Sequence, residues 1–394
     1  MPNYIYGTNN SDILDVLDNV TDDADVIYGY GGDDFIWGDG GADTIYGGTG
    51  DDYLNGGSGN DVLTGGSGAD QMNGGTGSDT ASYADSTAGV TVSLISGEGF
   101  GGTAEDDTLA NIESVTGSSY ADLLLGDSGN NVLAGLGGND TLNGGGGNDT
   151  LYGDSGNDTL KGGGGADTLN GGAGVDTADY GASSAGVVVS LYHDAADGGD
   201  AEGDDLNSIE NVTGSGYADN LWGSDGVNVL SGMNGNDSIK GFGGNDTLYG
   251  GNGNDTLWGM EGGDTLRGES GVDTLIGGAG LDHLYGGASA DVFRWDETNE
   301  TGLAAGTADV IHDFNRLEGD EFNLSAIDAD VYADGDQAFT FIGMAAFSGT
   351  PGEIRYYHSG GNTYLEMQTG TSVDVEGVIM LSGIHDPEAN WFLL

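Results

Sequence analysis

The sequence predicts an all-β protein: a parallel β-roll (right-handed β-solenoid) of nonapeptide repeats, closed by a C-terminal cap of β-strands. Three observations predict it. A nine-residue pattern with Gly at position one, Asp at position six and an apolar residue at position eight recurs in three unbroken runs. Gly supplies 82 of the 394 residues while Pro supplies 3 and Cys none, which is a composition of repeated tight turns. Finally, 66 Asp and Glu face only 6 Lys and Arg, a formal net charge of -60, so the folded chain needs cations that its own side chains do not provide.

Taken in order, residues 1–28 hold weaker units with the same Asp spacing, around Asp12 and Asp25. The first block, 29–82, opens GYGGDDFIW, GDGGADTIY, GGTGDDYLN. Residues 83–116 break the period, and 117–179 form the second block. Residues 180–213 repeat the first spacer at an offset of 97, with YADSTAGVTVSL and YGASSAGVVVSL at their starts and NIESVT and SIENVT at their ends. A duplicated cassette explains this. The third block is 214–294, and 295–394 form a terminal segment with strand-like runs at 338–342, 354–357 and 373–381. Across the three blocks position one is Gly in all 22 units, position six is Asp in 20 and position eight is apolar in all 22; the two exceptions, Asn131 and Asn228, are themselves 97 apart.

Each unit reads as a turn followed by a three-residue strand. Glycines at positions one, two and four allow positive φ and close backbone approach, and the middle strand residue points inward. Two units close one turn of a flattened coil, so equivalent strands stack in parallel on two sides and residues such as Leu142, Leu151 and Leu160 fill a thin core. One aliphatic side chain per nine residues does not offset the ordering of nine residues, many of them Gly.

The position-six aspartates supply the missing term. Stacking sets them one above another on each edge of the coil, an arrangement that repels unless a cation lies between them. The candidates are Asp34, Asp43, Asp52, Asp61, Asp70 and Asp79 in the first block, and Asp122, Asp140, Asp149, Asp158, Asp167 and Asp176 in the second. The third block adds Asp219, Asp237, Asp246, Asp255, Asp264, Asp273, Asp282 and Asp291. Turn carbonyls of position-one glycines complete the donor set: Gly29, Gly38, Gly47 and Gly56, then Gly135, Gly144, Gly153 and Gly162, then Gly241, Gly250, Gly259 and Gly268. An all-oxygen set with flexible geometry selects calcium over magnesium, and the absence of Cys with only five scattered His points away from zinc and copper. If each ion takes loops from two successive turns of one edge, the blocks hold about 16 calcium ions.

The motif GGxGxDxUx, met for example in GGNGNDTLW at 250–258, resembles the RTX (repeats-in-toxin) calcium-binding β-roll family. The terminal segment is similar to the C-terminal region of serralysin-type proteins, in ADVIHDF at 308–314, GDEFNLSAID at 319–328, AFTFIG at 338–343 and IMLSGIHDPEANWFLL at the end. The resemblance implies a secreted protein exported unfolded by type I secretion machinery, C-terminus first, which folds on calcium outside the cell. It departs from the pattern at 369–372, where an acidic loop is replaced, and at Asn390, which stands where an acid precedes the apolar terminus.

Composition and motifs narrow the function further. Nucleic acid and anionic membranes are poor partners for a chain so short of Lys and Arg, and no run approaches 18 apolar residues, so the expectation is no nucleic acid and no membrane insertion. Residues 1–7 show no Sec-type signal. No H-E-x-x-H, G-x-S-x-G or P-loop is present, and the repeats begin close to Met1 without a catalytic module, so the expectation is a non-catalytic protein. The alternative is an accessory or catalytically lost relative of an RTX-bearing secreted enzyme of the serralysin or alginate epimerase type. Position nine points outward. In the third block it carries Trp222, Lys240 and Trp258 along one edge and Tyr249, Arg267 and Tyr285 along the other. Aromatics and cations at a strand spacing of about 4.8 Å are a candidate face for an extracellular polysaccharide or other cell-surface component. The plainer reading is that these side chains cover the sheets and balance neighbouring acids.

Overall fold

The computed structural model describes residues 2–15, 20, 23–297, 300–302, 304, 306–329, 337–370 and 374–393. The chain forms two compact units, one of residues 1–180 with 194–209 and the other of residues 181–193 with 210–394. Each is a parallel β-roll.

In the first unit one sheet stacks Asn3–Tyr6, Asp25–Gly31, Thr44–Thr49, Val62–Ser67 and Thr80–Ser82, each parallel to the last. The opposite sheet stacks Ile13–Leu14, Phe35–Trp37, Tyr53–Ser58 and Gln71–Thr76 in the same way. Partners within a block are 18 residues apart, Leu142 on Leu160 and Leu151 on Leu169, which is two nonapeptides per turn. The position-eight side chains meet in the thin interior, and Leu142, Leu151, Leu160 and Leu169 are fully buried.

The first spacer is a member of this stack. On one sheet Ser114–Thr116 lies between Thr80–Ser82 and Val132–Ala134, parallel to both. On the other, Thr108–Ala110 continues parallel to Gln71–Thr76, Glu98–Phe100 runs antiparallel, and Thr91–Ser93 reverses again to lie parallel to Leu123–Leu125. The spacer thus inserts a reversed strand on one side only. The period is lost to a sequence scan because the extra strand changes the offset from 18 to 37 residues between Met72 and Leu109.

In the second unit the roll does not stop at residue 294. Asp309–Ile311 stacks on His283–Ala288, and Glu321–Asn323 on Val292–Arg294, so the expectation of a repeat ending near Trp295 is corrected by two further strands. Closure follows on both sheets. Phe392–Leu393 covers Glu321–Asn323 on one, and on the other Gly377–Leu381 pairs with Asp309–Ile311 and then antiparallel with Asn362–Gln368, which pairs with Glu353–Ser359. Residues 340–341 fall within the expected run 338–342 and the strand 353–359 contains the expected run 354–357, whereas Asn362–Gln368 had no place among them. Residue 373, the expected start of the last run, and residue 394 lie outside the described residues. Large rings replace the aliphatic core as the roll ends: Phe314 stacks on Phe322 at 4.5 Å, Phe322 on Phe392 at 5.3 Å, and Trp295 is fully buried.

Glycine is required where the turns approach one another. Gly59 has φ +134° and a Cβ there would overlap the carbonyl of Gly41 on the preceding turn, whereas a Cβ at Gly164 meets nothing within 4 Å. Gly59→Ala is therefore expected to cost more than about 2 kcal/mol or to abolish cooperative folding, while Gly164→Ala stays within about 1 kcal/mol of the parent. Denaturant unfolding in saturating calcium measures both.

Candidate metal centres

Position six follows the turn directly, so its side chain folds under the start of the strand while its backbone enters the ladder. There each carboxylate reaches its neighbour one turn earlier. The N–H of Asp122 donates to Asp140 Oδ1 at 2.8 Å, that of Asp140 to Asp158 at 2.8 Å, and that of Asp237 to Asp255 at 2.8 Å. These bonds assemble columns. In the first unit one runs Asp12, Asp34, Asp52, Asp70, Asp107 and another Asp25, Asp43, Asp61, Asp79, Glu113. Two more run Asp122, Asp140, Asp158, Asp176 and Asn131, Asp149, Asp167, Asp204. The second unit holds Asp219, Asp237, Asp255, Asp273, Asp291, Asp320 and Asn228, Asp246, Asp264, Asp282, Asp309.

All 20 expected aspartates stand in these columns, and none is more than 5% exposed. Seven acids of the columns were not among the candidates: Asp12 and Asp25 of the weaker leading units, and Asp107, Glu113, Asp204, Asp309 and Asp320. Four of the last five carried a signal. The segments DTLA at 107–110, DDLN at 204–207, DVIH at 309–312 and DEFN at 320–323 keep the Asp-x-apolar half of the repeat without its glycine half.

The second carboxylate oxygen decides what the columns can hold. In the first block Oδ2 of Asp34, Asp43, Asp52, Asp61, Asp70 and Asp79 is buried and accepts no hydrogen bond. The same is true of Asp140, Asp149, Asp158 and Asp167, and of all the third-block aspartates from Asp237 to Asp291. Each such oxygen faces its own unit's position-one glycine: a Cβ on Gly29 would overlap Asp34 Oδ2 and the carbonyl of Gly47, and Gly38, Gly47 and Gly56 repeat the arrangement. Position one is Gly because carboxylate and carbonyl oxygens already converge there. Buried, unpartnered anionic oxygens are costly, and burial pushes these carboxyls up, to about 7 for Asp43, Asp52, Asp140 and Asp237 and about 8 for Asp282, with neighbouring aspartates adding to the rise and the backbone N–H opposing it.

A hard cation fits this donor set. Among the described residues no three His, Asp or Glu side chains converge, so an ion here would draw one or two carboxylates and complete its shell with turn carbonyls, as an oxygen-seeking, geometrically tolerant ion does.

The RTX calcium-binding nonapeptide repeat model matches residues 20–54, 46–81, 116–151, 144–178, 207–239, 222–257 and 258–293, together more than half of the chain. The chain belongs to the RTX calcium-binding repeat family. Its repeats bind calcium. No curated protein matches the chain. Among solved structures it is similar to the R2 subunit of a mannuronan C5-epimerase from Azotobacter vinelandii, at 26% identity over 47% of this chain and 92% of that one, with a TM-score of 0.27. The R3 subunit from the same organism's mannuronan C5-epimerase matches at 22% identity over 45% and 79%, with a TM-score of 0.22. An extracellular lipase from Serratia marcescens matches at 17% identity over 74% of this chain but 45% of that one, with a TM-score of 0.22.

The outward residues of the third block divide between the two sheets of the second unit. Trp222, Lys240 and Trp258 are consecutive on one, Tyr249, Arg267 and Tyr285 on the other. Lys240 Nζ lies 5.0 Å from the Trp258 ring centre and the Arg267 guanidinium 4.0 Å from that of Tyr285, whose ring also stacks on His312 at 4.3 Å.

The raised carboxyls fix a pH dependence for the ion-free fold. Between the unfolded value near 4 and folded values of about 6 to 8, the folded chain binds more protons than the unfolded one, so ion-free stability grows as pH falls and is lost as pH rises through 6 to 8. In chelator the far-ultraviolet β-signal should be stronger at pH 5 than at pH 8.5. Calcium added at pH 5.5 should release protons, and at pH 8.5 few, as a pH-stat titration records.

Proposed function

We propose that the protein is a secreted, non-catalytic calcium-binding RTX protein, exported unfolded by type I secretion machinery and folded by calcium outside the cell. The observation that carries the reading is the set of buried column carboxylates, Asp34 to Asp79, Asp140 to Asp167 and Asp237 to Asp291, whose Oδ2 atoms accept no hydrogen bond. At neutral pH and low calcium these carboxyls are charged in the unfolded chain, and burying them without an ion is opposed by desolvation and mutual repulsion, which favours an expanded, transportable chain; external calcium supplies the missing partner and couples ion binding to folding. The role outside the cell is interaction with a surface or matrix component, including polysaccharide, through the outward rows holding Trp222, Lys240 and Trp258 and Tyr249, Arg267 and Tyr285. Cations held against aromatic faces at strand spacing support that role.

Two measurements test this. Titrating chelator-treated protein with calcium at pH 7.5 should produce a cooperative gain of β-structure and protease resistance that magnesium at equal concentration does not; a compact, resistant chain in chelator would end the folding proposal. In saturating calcium, Trp258→Ala and Arg267→Ala should leave the fold intact and weaken retention on an anionic polysaccharide at least about tenfold, a loss of about 1.4 kcal/mol. Unchanged retention would remove the outward rows from the proposal.

A further inference from the structure

The carboxylate columns are not open along their whole length. At the head of one second-block column, Asp122 Oδ2 accepts the N–H of Ser118 at 2.5 Å, while its Oδ1 accepts the Ser118 hydroxyl at 2.9 Å and the N–H of Val90 at 2.7 Å. The other column begins with Asn131, whose Oδ1 accepts the N–H of Asp127 at 2.7 Å and whose Nδ2 donates to the carbonyl of Glu113 at 3.0 Å. The third block repeats both devices. Asp219 is held by Ser215 at 2.6 and 2.7 Å and by Val187 N–H at 2.8 Å. Asn228 accepts from Ser224 N–H at 2.7 Å and donates to the carbonyl of Glu210 at 2.7 Å.

Three far ends are closed as well, while Asp107 Oδ2, at the end of a first-unit column, is buried without a hydrogen bond. Asp204 Oδ2 accepts the hydroxyl of Tyr180 at 3.0 Å, Asp309 Oδ2 the indole N–H of Trp295 at 2.7 Å, and Asp320 Oδ2 the N–H of Asn315 at 2.7 Å. At the head of the first-unit column, Asp12 Oδ2 accepts both the N–H and the hydroxyl of Thr8. In each of these aspartates a protein donor occupies Oδ2, the atom that stands without a partner in the column interiors. Asn goes further: its amide is itself a donor and takes up a carbonyl, the kind of oxygen an ion would need.

We infer that these residues are ion-free closures, so that the chain carries separate calcium ladders bounded by protein hydrogen bonds rather than a ladder running through every repeat. The inference rests on the calcium reading above. Two of the expected ligands, Asp122 and Asp219, are thereby assigned to the closures, and with ions only between successive open carboxylates the folded chain holds about a dozen calcium ions instead of about 16.

The experiment is the calcium count of the folded protein, by equilibrium dialysis with atomic emission, on the parent chain and on Asp52→Asn, Asp255→Asn, Asp122→Asn and Asp219→Asn, each checked for its β-signal in excess calcium. Asp52 and Asp255 each lie between two open neighbours, so each of their variants should lose about two ions, while the Asp122 and Asp219 variants keep the parent count. A parent count near 16, or equal losses from Asp122→Asn and Asp52→Asn, would overturn the closures. The parent count alone suffices should a head variant fail to fold. Failure of the calcium reading itself would look different, as no tightly held ions in any chain.

Discussion

A buried carboxylate oxygen without a partner is the constraint on which the rest of this protein depends. The roll is only two strands thick and gains one core side chain per nonapeptide, so its stability cannot come from apolar burial in the usual proportion. The polar edges have to contribute. By placing Asp Oδ1 on the backbone N–H one turn away and leaving Oδ2 against a glycine, each unit makes the edge unstable by itself and strongly stabilised by a divalent cation. Under the proposed function, fold and ion binding are then one equilibrium.

The same constraint explains the glycine pattern and its exceptions. Position one tolerates no Cβ because oxygens crowd it, and position four, Gly except at Tyr120, Tyr217 and Ser289, lies against the preceding turn's carbonyl at Gly59, Gly77 and Gly156. Position two also has positive φ, and there Tyr30, Asp39, Leu136, Asp154, Met233, Phe242, Met260 and Glu269 stand in place of glycine, although a Cβ at Gly48 or Gly251 would overlap the preceding turn's carbonyl. Phe242 uses this position to stack on Tyr192 at 5.4 Å.

Much of this was legible in the residues. Register fixed the strands, the inward position eight and the aspartate columns, because a strict nine-residue period leaves one way to stack. What stayed hidden lay where the period is broken. The reversed strands Glu98–Phe100 and Ala195–Asp197 shift the spacing to 37 residues, so the place of Asp107 and Asp204 in the columns does not show in the nine-residue period. The closures were harder still. Ser118 and Ser215 lie four residues before Asp122 and Asp219, and serine in a turn gives no sign that it donates to a carboxylate until the chain is folded. The cap's Asp309 and Asp320 carried the Asp-x-apolar signature, but the surrounding change in composition masked it.

Closure of the columns bears on how the chain folds. In an unbroken column each interior aspartate touches a neighbour on both sides, so neighbouring ions help one another and the cooperative unit grows with the number of repeats. A closure ends that exchange, because the serine, tyrosine or indole donor is satisfied whether or not an ion is near. It also fixes register before any ion arrives, since the hydrogen bonds at Asp122 and Asp219 each join three chain segments. Ladders of a few ions, each starting from a turn that the protein ties by itself, fold over short loops and avoid the slipped pairings open to a long, nearly identical repeat. The duplicated cassette carries the spacer and its closures together, so each new length of roll enters with its own starting turn.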